Sequence, residues 1–180
     1  MQAYRLIPHP DHPPLAVSAI EARIGGDHPN WLQLRWRIEG SGKLVLPKIT
    51  GKVRADNLWQ TTCFELFVKP IGGETYGEWN LSPSRQWAAY DFDSYRNGMR
   101  ERPVERTPDC VMRPGSTFSI FDASIARAEL PVGPCAIGLT AVIEEEGGVI
   151  SYWALAHSEG KADFHHAACF AAKLDPRGIA

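Results

Sequence analysis

Apolar and polar residues alternate with period two through much of the chain. Leu32, Leu34, Trp36 and Ile38 alternate with Gln33, Arg35 and Arg37, which predicts a strand with one buried face. Residues 18–24 alternate in the same way, with Glu21 and Arg23 outward. Cys63-Phe64-Glu65-Leu66-Phe67-Val68 is strand-like because aromatic and β-branched side chains suit a pleated surface. Cys135, Ile137, Leu139, Ala141 and Ile143 line one face of a further strand, which Gly147-Gly148 joins to a run over residues 149–155. Two glycines between strand runs predict a hairpin, since a type I′ turn needs positive φ at both central positions. Residues 77–92 read as strand, short turn at 82–85, strand.

Helical patterns are weak. The best, residues 124–130, is short and stops at Pro131; residues 164–173 are compatible with a helix or a closing strand. Gly (16) and Pro (14) punctuate the chain at short intervals. Many short strands with few helices predict an all-β antiparallel sandwich or barrel. The length suits one domain over residues 1–180. Pro8, Pro10, Pro13 and Pro14 suggest that residues 1–14 are an extended arm leading into the first strand. Residues 97–114, polar and proline-bearing, are expected to be a long surface loop.

Charge narrows the partners. The net charge is −2, so no basic field exists to hold nucleic acid by its phosphates and no polybasic stretch marks a membrane surface. The N-terminal residues lack the apolar stretch and cleavage pattern of a secretory signal, and the expected location is cytoplasmic. Cys63, Cys110, Cys135 and Cys169 show no C-x-x-C spacing and are expected to be free buried thiols. Gly40-Ser41-Gly42-Lys43 is not a Walker loop, because Arg37 stands where its first glycine belongs and Leu44 follows the lysine. No G-x-G-x-x-G, G-x-S-x-G or H-E-x-x-H pattern occurs.

Three stretches carry candidate chemistry. In the first, Trp59 precedes the 63–68 strand and Glu65 lies within it. Either face of that strand could be inward. The pair suits an aromatic platform beside a hydrogen-bonding acid; a core tryptophan and a structural Glu65 paired to Arg35 or Arg85 would explain the same residues. In the second, Asn80, Ser82, Arg85 and Gln86 are polar and close to one turn, with Trp79, Trp87, Tyr90 and Phe92 adding aromatic faces. Rings and polar groups together suit sugars, and a self-capped hairpin over a core is the other reading. In the third, His157, Asp163, Phe164, His165 and His166 form a binding-loop candidate. His157, Asp163 and His165 could serve a metal or acid–base chemistry, or merely stiffen the loop. His9 and His12, flanked by prolines, are expected to be solvated.

Taken together, Leu58-Trp59, Cys63 to Val68 and Trp79-Asn80-Leu81-Ser82-Pro83-Ser84-Arg85-Gln86-Trp87-Ala88-Ala89-Tyr90 resemble the DOMON-like superfamily. The resemblance is nearest to members similar to family 9 carbohydrate-binding modules. Tyr152-Trp153-Ala154-Leu155 and Asp163-Phe164-His165-His166 resemble that group's bacterial single-domain members. It implies a β-sandwich of two antiparallel sheets, a jelly roll, that binds a small saccharide or similar polyhydroxylated ligand without catalysis and without a cofactor. Trp59 and Glu65 fall at the family's first tryptophan and its acid, and Arg85 near its arginine. The family's second tryptophan has no counterpart after Trp153, where His157, Phe164, His165 and His166 stand instead. The ligand-binding set this implies is Trp59, Glu65, Asn80, Arg85, Trp87, His157, Phe164 and His165. Other members of the superfamily bind b-type haem through a Met and a His, for which Met99 or Met112 with His157 or His165 are the candidates.

Overall fold

The computed structural model describes residues 2–25 and 28–176, so residue 1 and residues 177–180 of the predicted domain lie outside it. Its strands are β1 (Gln2–Pro8), β2 (Ala19–Gly25), β3 (Trp31–Glu39), β4 (Cys63–Pro70), β5 (Tyr76–Leu81), β6 (Trp87–Phe92), β7 (Arg100–Glu101), β8 (Asp109–Arg113), β9 (Phe118–Ala126), β10 (Cys135–Glu145), β11 (Val149–Ala154) and β12 (Ala172–Leu174). Helical structure among the described residues is confined to single 3-10 turns at Ser41–Lys43, Leu58–Gln60, Arg127–Glu129 and Ala167–Cys169.

The strands form two antiparallel layers. One runs β1-β2-β3-β9-β8 and the other β7-β6-β5-β4-β10-β11, with β12 also on β10. The layers are joined through β1: its residues Gln2 to Leu6 pair with β2, whereas Ile7 and Pro8 pair with Ala154 and Trp153 of β11. Between the layers lies the main core. Phe64 of β4 stacks on Phe121 of β9 at 4.3 Å between ring centroids and meets Trp36 of β3 at 5.3 Å. The fold is thus a β-sandwich, one of the two all-β architectures that the alternation predicts.

Period two explains β3 and β2. Leu32, Leu34, Trp36 and Ile38 are buried, and so are Ile20, Ala22 and Ile24. Arg23 of β2 instead pairs with Glu21 at 2.5 Å on the outer surface. Arg35 points to solvent and binds Asp122 of β9, so it is not a partner for Glu65. The hairpin between β10 and β11 closes Glu145 onto Val149. Its loop has one residue more than a type I′ turn, Glu146, and Gly147 and Gly148 both take the left-handed φ (81° and 76°) that glycine adopts without steric cost.

Several expectations need correcting. Half of the proline-rich arm is the strand β1, because Pro8 stands at its last position and a strand end tolerates a missing N–H. The rest of the arm is held by His9, whose N–H donates to Tyr152 O at 2.8 Å and whose carbonyl accepts from His12 N–H at 3.1 Å, and the segment after it is anchored as well. Backbone N–H groups of Leu15, Ala16 and Val17 donate to the Glu145 carboxylate at 2.7, 2.7 and 3.0 Å. Residues 124–130 continue β9 into a 3-10 turn rather than forming an α-helix. The loop at 97–114 contains β7 and β8. Residues 164–173 are neither helix nor strand throughout: a 3-10 turn at Ala167–Cys169 precedes β12. The four thiols are free and buried.

An antiparallel sheet usually leaves one face to water, but all six residues of β5 are buried. The face of β4, β5 and β6 that turns away from the main core carries Phe67, Tyr76, Tyr90 and Phe92 in a second apolar cluster with Val142 and Phe164. Loops cover this face, and between the loops and the sheet lies a large cavity.

Candidate functional site

The floor of the cavity comes from strand periodicity. Successive side chains alternate across a sheet, so β4 sends Phe64, Leu66 and Val68 into the main core and Glu65 and Phe67 to the cavity. By the same rule Glu78 comes from β5, Tyr90 and Phe92 from β6, Val142 from β10 and Tyr152 from β11. The walls are loops. One carries Asp56, Asn57 and Trp59, a second Arg96, Met99 and Arg100, and a third Lys161, Ala162, Phe164 and His165. The cavity is partly open to solvent and its volume is about 1000 Å³, at the upper end of the range for small-molecule sites.

The loop carrying Arg96 is shaped by its backbone. Asp93 N–H donates to Asn97 O at 2.9 Å and Asn97 N–H to Ser94 O at 3.0 Å. Gly98 has φ 68°, and a Cβ there would come within 2.0 Å of the Asp93 carboxylate, so no side chain fits. Arg96 lies at φ 52°, a region that costs a non-glycine residue energy. Its guanidinium donates to Asp163 Oδ1, from Nη2 at 2.7 Å and Nε at 3.3 Å, and Tyr95 O–H also donates to Asp163. Burial alone would raise the Asp163 carboxyl, but the bonds from Tyr95 and Arg96 outweigh it and hold it below the usual range.

A second chain of bonds ties the wall to the floor. Arg96 N–H donates to the Tyr76 hydroxyl at 3.2 Å, and that hydroxyl lies 2.8 Å from His165 Nδ1. With the Tyr76 proton on this bond, His165 carries its own proton on Nε2, which faces Glu78 Oε2 at 3.6 Å. Burial, with the nearby Arg96 charge, lowers His165 to about 4. The ring is therefore neutral at pH 7, and this long contact with Glu78 is not an ion pair.

Glu65 and Glu78 dominate the floor. Thr140 O–H donates to Glu65 Oε2 at 2.8 Å and Asn80 Nδ2 to Glu78 Oε1 at 2.7 Å. Both carboxyls are held above the ordinary range, first by burial; the charge of Glu78 raises Glu65 further. On the rim Trp59 is 49% exposed, and Tyr90 O–H donates to Asp56 below it in the same wall sequence.

The residues expected from sequence divide into three groups. Trp59, Glu65, Phe164 and His165 line the cavity together. Asn80 lies beneath, buried and oriented onto Glu78. Arg85, Trp87 and His157 are elsewhere. Arg85 sits exposed at φ 73° in the β5–β6 turn, where its N–H closes onto Ser82 O at 3.0 Å. Trp87 is one residue out of phase with the cavity face, so it enters the main core and lies under the Arg54 guanidinium, 4.5 Å from its ring centroid. His157 donates from Nε2 to Ile7 O at 2.8 Å and packs edge-on against His9 at 5.0 Å. His9 itself is 1% exposed, and His12 lines the cavity edge-on to Tyr152 at 4.8 Å, so neither is a solvated histidine.

His165 and His166 do part company, His165 inward and His166 outward, capping the 3-10 turn at Ala167–Cys169 by accepting from Ala168 N–H. Among the described residues no three His, Cys, Asp or Glu side chains are grouped to hold a metal ion. Asp163 is taken up by Arg96 and Tyr95, and His157 by the backbone of β1, which removes the set proposed for metal-dependent chemistry. Of the haem-ligand candidates, Met99 and His165 line the cavity; Met112 packs against the main core.

Sequence reasoning missed Glu78 and Arg96. Glu78 had a signal: it lies two residues from Asn80, and strand pairing that places Asn80 opposite Glu65 puts Glu78 on the same face. Arg96 had none, since it is placed by a turn rather than by a strand.

No family model and no curated protein sequence matches the chain. Solved structures share its fold. A candidate carbohydrate-binding protein from Bacteroides uniformis ATCC 8492 is similar at TM-score 0.66 and 12% identity, over 96% of this chain and 84% of that one. A family 9 carbohydrate-binding module from Caldicellulosiruptor kristjanssonii, in complex with glucose, is similar at TM-score 0.51 and 10% identity, over 87% and 75%. At such identities the likeness is one of fold, and that fold is the β-sandwich implied by the family 9 resemblance.

Proposed function

We propose that this chain is a non-catalytic binding module for a small saccharide or a similar polyhydroxylated ligand, seated in the cavity on the outer face of the β4–β5–β6 sheet. The observation that carries the reading is the combination of a half-exposed indole at the rim, Trp59, with buried hydrogen-bonding carboxyls on the floor, Glu65 and Glu78. Sugar C–H faces lie well against rings, while hydroxyls pair with carboxyl and guanidinium groups. The guanidinium in this reading is that of Arg96 rather than Arg85. Tyr152 and Phe164, edge-on at 6.0 Å, supply further ring surface in the cavity. The fold shared with a glucose-bound module supports the reading.

A haem reading fits less well. Met99 and His165 share the cavity, but an apolar macrocycle laid over Glu65 and Glu78 would strand two carboxyl groups away from water. Calorimetry against a panel of mono- and disaccharides, with tryptophan fluorescence in parallel, tests the saccharide reading. Saturable heat and an emission shift from Trp59 are expected. A panel that gives neither overturns the reading, and a Soret band gained on adding hemin would favour the haem alternative.

A further inference from the structure

Glu65 and Glu78 leave something for a ligand to supply. They are 3% and 7% exposed and stand on neighbouring strands, Glu65 opposite Asn80 and so diagonal to Glu78. Each has one oxygen satisfied, by Thr140 and by Asn80. The second oxygen of each accepts no hydrogen bond among the described residues. Glu78 Oε2 has only the His165 Nε2 at 3.6 Å, and that ring is neutral.

The cations that line the cavity are bound to other acids or exposed, and Arg96 acts on Glu78 only as a nearby charge, which lowers that carboxyl without offsetting its burial. Arg96 is bound to Asp163 at 2.7 Å and Arg100 to Asp93 at 2.6 Å. Lys161 is exposed in the third loop. Among the described residues neither Glu65 nor Glu78 forms an ion pair with a lysine or arginine. The other acids of the walls, Asp56 and Glu101, add negative charge, and Asp56 is engaged by the Tyr90 hydroxyl.

Two buried carboxyls with no cation hydrogen-bonded to either are costly to ionise, which is why both are held toward the protonated form. Around them stand Trp59, Phe67, Tyr90, Phe92, Tyr152 and Phe164. Aromatic rings attract a desolvated ammonium through their quadrupoles, and an ammonium offers three N–H donors. Resting on the saccharide reading above, we propose that the ligand is a sugar or similar polyol bearing a protonated amine, with the ammonium seated on the free oxygens of Glu65 and Glu78.

The proton balance follows. Burial and mutual repulsion keep the pair partly protonated near pH 7. An arriving ammonium favours the doubly ionised form, so the carboxyl proton leaves to the buffer as the amine binds, while the amine keeps its own.

The test is calorimetry of the whole chain at pH 6.5 with glucose, 2-amino-2-deoxyglucose, 6-amino-6-deoxyglucose and their N-acetyl forms, in two buffers of different ionisation heat. At least one amino sugar is expected to bind ten times more tightly than glucose, with buffer-dependent heat showing proton release, and N-acetylation is expected to remove the gain. Glu65→Gln and Glu78→Gln, each checked for an intact melting transition, should bring the ratio of amino-sugar to glucose affinity toward one. If glucose binds and no amino sugar binds more tightly, the amine proposal is overturned and the saccharide reading stands. If no member of the panel binds, both fall.

Discussion

Arg96 and Asp163 hold two walls of the cavity together: Nη2 of the arginine lies 2.7 Å from Oδ1 of the aspartate, across 67 positions of sequence. The bond fixes a loop with a left-handed arginine at its centre against the loop that carries Phe164 and His165. Arg96 is half exposed, so the pair adds only about 1 kcal/mol to global stability. Its effect is local. Asp163→Ala should leave the melting temperature within a few degrees while accelerating proteolytic cleavage in residues 93–101 and weakening ligand binding several-fold. Because the Asp163 carboxyl is held below its unfolded value, this contribution is present above about pH 4 and is lost as pH falls through the folded value. Equal cleavage rates in both proteins would show that the loops stand without the bond.

Trp59 and Arg85 separate the binding role from the resemblance that suggested it. Trp59→Ala should weaken binding about tenfold, since ring stacking contributes about 0.5–1.5 kcal/mol beyond area burial, and its half-exposed position means little loss of stability. Arg85→Gly should leave binding unchanged. It should also raise stability slightly, by up to about 1 kcal/mol, because glycine accepts φ 73° without strain. Calorimetry and thermal melting read both, and a loss of affinity in Arg85→Gly would return that residue to the site.

Glu145 is the anchor of the N-terminal segment. It is 0% exposed and receives N–H groups of Leu15, Ala16 and Val17. Charge-assisted bonds are the strong ones, and Glu145→Ala leaves three donors without their acceptor, the N–H of Val17 buried and those of Leu15 and Ala16 part-buried. A loss of about 2 kcal/mol is expected, which for a domain of this size lowers the melting temperature by about 4–8 °C. Urea denaturation measures it; a loss under about 1 kcal/mol would mean that water replaces the carboxylate.

Glu65 gives the chain a stability profile of unusual sign. Burial first, then the charge of Glu78, raise its pKa to about 8. An unfolded glutamate titrates near 4.3. Between the two values the folded state binds more protons, so the group's contribution declines as pH rises through that window, by about 1.4 kcal/mol for each pH unit. Glu65→Gln removes this share of the dependence and leaves that of Glu78, which burial raises to about 7. The variant should therefore melt progressively higher than the parent from pH 5 to pH 8, with the gap constant above that. A gap that does not change with pH would place Glu65 in the ordinary carboxylate range.

What sequence made legible, and what it hid, follows from how each part is specified. β3 and β2 alternate because one face meets the core and the other meets water, and that contrast is written in residue type. β5 carries no such contrast, since both faces are covered, and nothing in its own pattern singles out Glu78. Trp87 stands beside Gln86 and Arg85 in the chain, which made it attractive, but a pleat places neighbours on opposite faces and sent it into the core. β1 was obscured by the prolines that follow it. Trp59 and Glu65 were legible because a loop indole and a lone acid in an apolar strand are both anomalies. Arg96 reaches the cavity only through the turn that aims it, and a turn built on Gly98 and Asn97 leaves no periodic trace.

The alternation along β4, β5 and β6 gives the chain a practical freedom. One register of side chains builds the scaffold and the next builds the cavity floor, so the two can be varied separately. A combinatorial library randomised at positions 67, 90, 92 and 142, with positions 64, 66, 79 and 89 kept fixed, would explore new specificities on an unchanged frame.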